Sequence, residues 1–543
     1  MDISHRVGEN IVERIKKSWT SASAQLDTIT SLSSKTVQVL LVVIILGIAV
    51  FRLATISIPS LEWTSWKEID YLTISQNYWK NGFNFFKPEV TWPAEPPRVT
   101  EMELPLVPFT AALLYQIFGY GPLTARAVTP LAALLLMVYV YKLARREFNP
   151  FIGLLSAFAA GVLPLYHPFS RLLFTEPTMI AMSVVSIYYM AEWVDNPNRR
   201  NWIQAIASLS VTLSLKLETL YLLLPLTWIV FRRYQFKLSH YWKYALLIFL
   251  SFILPIIWYA YAYYLETTGA HLFGIFMGHD KSQFATLLLD FRWYRTMAGR
   301  IINGITGGFY GFGLFCLGFL FLLLKRKGSL IFAYFLAVVI YFGLVAEGNI
   351  DAPYRQLPII PSMSIFVAFG VQTIITGLLT FYYMLRSLTT ASKSISLLAL
   401  SASFLLVLLI PFQRPDEVLI ADFPAHADRW ELAQEIKKNS DANSKLVVVG
   451  EYSKHVGGYD LSPVLFYYSN LQGWSLTPEK WTLSYIEELR GKGATHLIFI
   501  LPYGYPYDFI YLPEVSVEPF IQELKSEYPV LYEYQDQLVL DLR

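Results

Sequence analysis

The chain alternates between long apolar runs and short polar turns up to about residue 413, and then changes pattern. Thr36 to about Ser57 is the first apolar run, long enough to cross roughly 30 Å of hydrocarbon at about 1.5 Å per residue. Leu104–Tyr120 is shorter and ends in Gly-Tyr-Gly-Pro. A helix lying at the outer face there keeps Lys142, Arg145 and Arg146 inside, as the positive-inside rule prefers. Crossings then alternate: Pro122–Leu143, Phe151–Tyr166, Thr178–Val194, Trp202–Leu215, Thr219–Phe231, Tyr241–Leu265, Ile301–Leu324, Ser329–Val345, Ile359–Phe381 and Ile395–Pro411. With the first run this predicts a polytopic α-helical membrane protein of about 11 transmembrane helices. The turns at Arg145-Arg146, Arg199-Arg200, Arg232-Arg233, Lys325-Arg326-Lys327 and Arg386 to Lys393 then share the cytoplasmic side.

Both flanks differ from this core. In residues 1–35, Val7, Ile11, Ile15 and Trp19 recur at helical spacing among Arg14, Lys16 and Lys17, which predicts a cytoplasmic amphipathic leader at the membrane surface. Beyond residue 414, Ala425–Asn439, Leu483–Gly491 and Val517–Tyr528 read as helices. Leu446–Gly450 and His496–Leu501 read as buried strands, and Pro529–Tyr534 with Gln537–Leu542 as a terminal hairpin. Strands alternating with helices predict a C-terminal extracytoplasmic α/β domain over 414–543. The transmembrane domain is 36–413, with its first external loop at 58–121.

Composition sharpens the division. The chain of 543 residues is 55% hydrophobic and 15% charged, with mean hydropathy +0.42; soluble domains carry about 25% charge. From residue 414 onward there are 11 Lys and Arg against 20 Asp and Glu, and before it 32 against 21, so the net +2 hides a basic core and an acidic tail. The one cysteine, Cys316, lies in an apolar run, which excludes a disulfide framework and a thiolate metal site. The polar first thirty-five residues and the long run after them are unlike a cleavable signal peptide. Gly450 follows a strand, but no glycine-rich phosphate loop follows it, so no nucleotide site is assigned there, and nothing points to nucleic acid.

The polar stretch Trp63–Pro105 carries most of the candidate chemistry, read here as a loop beside the first span. It holds Glu68-Ile-Asp70, Glu95-Pro-Pro-Arg98 and Glu101-Met-Glu103-Leu-Pro105. The same side of the predicted membrane receives Arg171 to Glu176-Pro177, Lys216, Arg292, Arg295 and Arg300 in the loop 266–300, and Arg355. Ionisable groups at the bilayer boundary are costly unless solvated or paired, so their convergence marks a site. One carboxylate taking a proton from an acceptor hydroxyl, with cations stabilising a departing lipid phosphate, is glycosyl transfer from a lipid carrier. A base opposite the leaving group would invert the anomeric centre. His271 and His279-Asp280, in the same long loop, have no spacing that fixes a metal geometry and read as solvated residues; no cofactor is specified, with a divalent metal possible.

These residues resemble the GT-C superfamily of membrane glycosyltransferases, in particular the protein O-mannosyltransferases and the lipid A aminoarabinose transferase. Glu68-Ile-Asp70 stands where that family has an acidic motif after its first helix. Glu103-Leu-Pro105 through Phe118-Gly119 matches the motif that opens its surface helix, followed by Ala125 to Pro130 and Lys142 to Phe148. Arg171 to Glu176-Pro177, Lys216 and Arg355 to Pro361 match later motifs. Leu104 replaces the commoner lysine of the first loop, and Glu176 replaces an aspartate; Glu95-Pro-Pro-Arg98 competes with Glu103 for its role. The resemblance implies a polyprenyl-phosphate-linked sugar donor, an acceptor on the non-cytoplasmic face and an inner-membrane location. It implies Asp70 as general base, with Glu103 and Glu176 as further catalytic-site residues. Glu68, Arg171, Lys216, Arg292, Arg295 and Arg355 are then substrate-binding candidates. The rival readings are a non-catalytic lipid-binding protein or transporter, whose repeats and midplane charges are not seen, and an oligosaccharide transferase or ligase of the same superfamily.

Overall fold

The computed structural model describes residues 13–14, 16–22, 24–25, 33–57, 65–92, 94–237, 239, 241–270, 273–276, 284–386, 393–413, 427–449, 463–476, 480–500, 518–534 and 537–543. Its helices are α1 Ser34–Thr55, α2 Ser65–Lys80, α3 Leu106–Phe118, α4 Val128–Glu147, α5 Pro150–Val162, α6 Thr175–Asp195, α7 Arg199–Leu215, α8 Leu223–Tyr234, α9 Tyr241–Thr268, α10 Phe309–Leu324, α11 Ser329–Leu344, α12 Ile360–Arg386 and α13 Lys393–Leu408. Caps set several starts: the side chains of Ser33, Asn149 and Asn198 accept from the backbone N–H three residues on, satisfying donors that a helix leaves open. Glycine permits the closest approach, because a Cβ on Gly318 would lie 1.8 Å from the Phe366 carbonyl oxygen and one on Gly370 1.9 Å from that of Leu314, so α10 and α12 meet backbone to backbone.

Among the described residues, four helices are long and apolar enough to cross a membrane: Ser34–Thr55, Pro122–Glu147, Tyr241–Thr268 and Pro353–Leu385. A fifth arises if Phe291–Ile305 and Phe309–Leu324, bent by 100°, count as one. The chain is thus an integral-membrane protein by its apolar helices, but length and apolarity support fewer crossings than the eleven expected. The difference lies in helices such as α5, of 13 residues, and α11, of 16, which are apolar but shorter than the roughly 20 residues of a full span.

The two ends of the bundle carry different chemistry. Arg146 pairs with Glu192 and Asp195, and Arg232 with Glu147 at 2.7 Å, so the ends of α4, α6 and α8 gather there. The described part of the leader docks at a helix end with the same basic character: Arg14 donates to the Met384 carbonyl oxygen at 2.7 Å and Tyr383 to Gln25 at 3.0 Å. Since α6 starts at Thr175 and runs 21 residues, about 30 Å, Glu176 stands at the opposite end from Glu192.

The stretch expected to be a loop after the first span begins instead with α2. Its Tyr71, Ile74 and Tyr78 recur at helical spacing and are buried, with Ile69 and Leu72, against α3. Weak helix formers such as Thr73, Ser75 and Asn77 disguise the period, and packing rather than propensity holds the helix.

Residues 427–543 contain a five-stranded sheet in the order β2-β1-β3-β5-β4, with β1 Lys445–Val449, β2 Gln472–Ser475, β3 His496–Ile500, β4 Val530–Tyr534 and β5 Gln537–Asp541. β1 is parallel to β2 and β3, whereas β5 is antiparallel to β3 and β4. Leu446 and Val448 point to one face, covered by α14 Ala427–Lys438 and α15 Pro463–Ser469. Val447 and Val449 point to the other, covered by α16 Leu483–Gly491 and α17 Glu518–Glu527. The period-two alternation of a strand explains why both sets are apolar. This region sits on the stretch between α1 and α3: Trp92 is buried with Leu432, Ile436 and Leu465, Gln76 donates to Asn470 at 3.1 Å, and Glu95 pairs with Lys492 at 3.4 Å.

Candidate functional site

α2 presents two charged faces to the rest of the bundle. At about 100° per residue, Glu68 and Asp70 diverge by roughly 200°, so they cannot form one two-carboxylate centre. Glu68 is fully buried and receives Arg126 in a two-pronged pair, Nε to Oε1 at 2.7 Å and Nη2 to Oε2 at 2.8 Å. The Leu173 N–H also donates to Oε1 at 2.7 Å, and Arg126 Nη1 donates to the Ile56 carbonyl oxygen at 2.7 Å. Glu68, expected among the substrate-binding residues, is a clamp tying α2 to the end of α1, the start of α4 and the strap before α6; its oxygens are spent on protein donors.

The other face carries Lys67, Asp70 and Tyr71. Lys67 donates to Glu176 Oε1 at 2.6 Å, and Lys216 lies 3.2 Å from the same oxygen and 3.2 Å from Glu103 Oε1. Further along, Arg355 Nη1 donates to Glu218 Oε1 at 3.0 Å, and Tyr341 donates to Glu218 Oε2 at 3.2 Å. Lys67 stands 4.2 Å from the centre of the Tyr354 ring, 5.5 Å from that of Phe174 and 5.9 Å from that of Tyr71, an aromatic wall that attracts the cation by its π faces. Glu176 is in the first turn of α6, where the positive end of the helix dipole favours a carboxylate. The segment bearing Glu103 is fixed by backbone: the Leu104 N–H donates to the Ser214 carbonyl oxygen at 3.0 Å, Trp258 to that of Met102 at 3.0 Å, and the Ala270 N–H to that of Val99 at 2.8 Å.

Charge and burial differ among these groups. Burial pulls the Lys216 ammonium down, but Glu176, Glu103 and Glu218 outweigh it and hold it well above the ordinary lysine range. Asp70 is 2% exposed, and its Oδ1 makes no hydrogen bond among the described residues. Burial alone raises its carboxyl well above the ordinary aspartate range. It is thus a buried carboxylate with high proton affinity, roughly 60° round α2 from Lys67.

The structure therefore brings Glu103, Glu176 and Lys216 together directly, with Asp70 on the same face of α2 as Lys67 and Arg355 reaching the cluster through Glu218. Arg171 is buried in the strap between α5 and α6. Arg292 and Arg295 are not brought in: both are exposed on the short helix Phe291–Gly299, and Arg292 pairs with Asp290, its own N-cap, at 3.0 Å. Glu95, the competitor for Glu103, faces Lys492 instead. Sequence reasoning missed Lys67 and Glu218, and carried Arg126 only within the motif Ala125 to Pro130, without a role. Lys67 and Glu218 lie next to or near residues that were singled out, and Arg126 stands inside an apolar run, places where a charge in a membrane chain signals a partner. Among the described residues no group of three or more His, Cys, Asp or Glu could hold a metal ion; His271 and His279-Asp280 lie outside the described residues.

Comparison with known proteins follows the same outline. The family model for dolichyl-phosphate-mannose-protein mannosyltransferase matches residues 97–259, which include Glu103, Glu176 and Lys216. The structure of ArnT from Cupriavidus metallidurans bound to undecaprenyl phosphate is similar with a TM-score of 0.57 at 13% identity, over 94% of this chain and 99% of that one. The oligosaccharyltransferase of Archaeoglobus fulgidus, in complex with Zn and sulfate, is similar with a TM-score of 0.52 at 12% identity, over 84% of this chain and 67% of that one. No curated protein sequence matches the chain. The likeness in fold to these two proteins extends over most of the chain.

Proposed function

We propose that this protein transfers a sugar from a polyprenyl-phosphate carrier to an acceptor hydroxyl on the non-cytoplasmic face of the inner membrane. The reading takes the N-terminus as cytoplasmic, about eleven crossings with the shorter apolar helices included, and the sheet-containing region 414–543 as extracytoplasmic. It is supported by the segregation of basic turns at one end of the bundle and of Lys67, Glu103, Asp70, Glu176 and Lys216 at the other.

The observation that carries the chemistry is Asp70. A general base must be free to accept a proton and must bind it well enough to pull it from a hydroxyl. Glu103 and Glu176 are neutralised by lysines, and Glu68 by Arg126; Asp70 has an unpaired, buried oxygen and a raised proton affinity. In the proposed step Asp70 takes the acceptor proton as the acceptor oxygen bonds to the anomeric carbon. The bond from that carbon to the phosphate oxygen breaks with inversion, and its electron pair leaves on the lipid phosphate. Lys216 and Arg355 stabilise that departing charge through charge-assisted hydrogen bonds. Glu103 holds Lys216 in place, and Glu176 pairs with it until the donor arrives.

The test is purified protein in nanodiscs, wild type beside Asp70→Asn, given radiolabelled polyprenyl-phosphate sugars and a membrane extract as acceptor. Transfer by the wild type and none by Asp70→Asn, with lipid binding retained, is the expected result. Equal transfer by both would remove Asp70 from the mechanism.

A further inference from the structure

Two ammonium groups on one carboxylate oxygen is an uneconomical way to build a structural ion pair. Lys67 and Lys216 both meet Glu176 at Oε1, at 2.6 and 3.2 Å, while Glu176 Oε2 is buried with no hydrogen-bond partner among the described residues. The Glu68–Arg126 pair on the far side of α2 shows what a structural pair looks like here: two parallel bonds and both oxygens used. Like charges crowded on one oxygen, with the second oxygen left dry, cost more than a one-to-one pairing would. The arrangement is instead that of a two-pronged cation site occupied by the nearest available anion.

Lys67 is also prevented from leaving. Its side chain is 6% exposed and walled by Tyr354, Phe174 and Tyr71, so it cannot snorkel to water as an interfacial lysine does. The cluster balances with Lys67, Lys216 and Arg355 against Glu103, Glu176 and Glu218, so an incoming anion gains two cations only by taking them from a resident carboxylate.

We infer that Lys67, together with Lys216, forms the fork that receives the phosphate of the lipid-linked donor, and that Glu176 occupies this fork as a resident anion which the phosphate displaces. This rests on the proposed donor class and adds to it a phosphate-binding residue from α2 and a competitor built into the site. A tetrahedral phosphate offers several oxygens to the two ammonium groups and can satisfy both without sharing one atom.

The experiment is binding of undecaprenyl phosphate to the full chain in zwitterionic nanodiscs, counted by native mass spectrometry, with undecaprenol as the uncharged control. Lys67→Gln is expected to weaken undecaprenyl phosphate binding at least tenfold and leave undecaprenol binding unchanged. Glu176→Gln, which removes the competitor, is expected to tighten it at least threefold. The double variant Lys67→Gln/Glu176→Gln restores charge balance and guards against misfolding of the single variant; it is expected to bind at least tenfold more weakly than Glu176→Gln. If the double variant binds as tightly as Glu176→Gln, or if Glu176→Gln does not tighten binding, Lys67 is structural and the inference is overturned while the donor class stands. If the wild type does not distinguish undecaprenyl phosphate from undecaprenol, the donor class itself fails.

Discussion

The two charged faces of α2 differ in completeness. On one, Glu68 and Arg126 spend their groups on each other and on the backbone of Leu173 and Ile56. On the other, Asp70 keeps an unpaired oxygen, Glu176 leaves one oxygen dry, and two lysines share the second. Both sets are buried, so solvent cannot make up the difference. A closed network fixes geometry, whereas an unfinished one leaves valences for something the protein does not itself contain. Burial and charge alone do not separate the two networks; what each individual oxygen accepts does.

The largest effect is expected at the unfinished face. Asp70→Asn should lower transfer by about 10²–10⁴-fold, the usual range for losing a general base. It should do so without loss of thermal stability at pH 7. A carboxyl whose folded pKa is raised costs nothing while protonated, at pH below the ordinary aspartate range. It destabilises the fold as pH rises through the raised value and the buried charge forms. Asparagine carries no such charge, so its melting temperature should equal or exceed that of the wild type at neutral pH, and the advantage should disappear in acid. The same shift governs activity: the acid limb of the wild-type pH–rate profile should lie above the range of an ordinary aspartate, because Asp70 must be ionised to act. An Asp70→Asn protein that is much less stable at pH 7 would mark Asp70 as structural.

Glu68→Gln tests the closed face and should reverse the pattern. Removing one partner of a fully buried pair leaves Arg126 uncompensated, at a cost of about 3–5 kcal/mol. Thermal unfolding should show the loss directly, and the surviving folded fraction should retain its affinity for undecaprenyl phosphate. If Glu68→Gln keeps wild-type stability but loses lipid binding, the division between the two faces is wrong.

How far this contrast could be read from the sequence depends on distance along the chain. The expected strands Leu446–Gly450 and His496–Leu501 correspond to β1 and β3 because a run of consecutive apolar residues is a local signal. β2 was missed because Gln472, Gly473 and Ser475 carry no such signal, and its place at the sheet edge comes from pairing with β1. Glu103, Glu176 and Lys216 were singled out from their motifs, and the structure places them on one another. Lys67 sat one residue from Glu68 and was passed over, because its partner lies 109 residues away. Nothing in the order of residues says that Glu68 turns to Arg126 while Lys67 turns to Glu176. That follows from the helical phase of α2, which its polar composition hid.

Trp92→Ala probes the contact between the stretch joining α2 to α3 and the sheet region. Trp92 is buried with Leu432, Ile436 and Leu465, and large-to-small changes at such sites cost about 3 kcal/mol or more. The cost falls on the docking of two regions, so limited proteolysis should release a fragment beginning near the sheet region before the membrane bundle unfolds. This variant is a cleaner probe than deleting 414–543, which would also remove Val464 and so bare the α2–α3 cluster it is buried in. If proteolysis is unchanged, the sheet region is held by its other contacts and Trp92 is dispensable.

The smallest effect is expected at Arg292. By charge and by loop position it ranks beside Lys216 and Arg355 in the sequence, and a count of external cations would place all three around the donor phosphate. The structure separates them: Lys216 meets two buried carboxylates and Arg355 meets Glu218, whereas the Arg292 side chain is 91% exposed and folds back on Asp290 two residues away. An exposed pair of this kind is screened by water and salt. Arg292→Ala should therefore leave undecaprenyl phosphate binding and transfer within experimental error of wild type, while Lys216→Ala, measured in the same assay, should abolish both. Equal losses in the two variants would mean that the segment carrying Arg292 closes over the donor when it binds. The boundary between the finished and unfinished networks would then have to be redrawn to include Arg292.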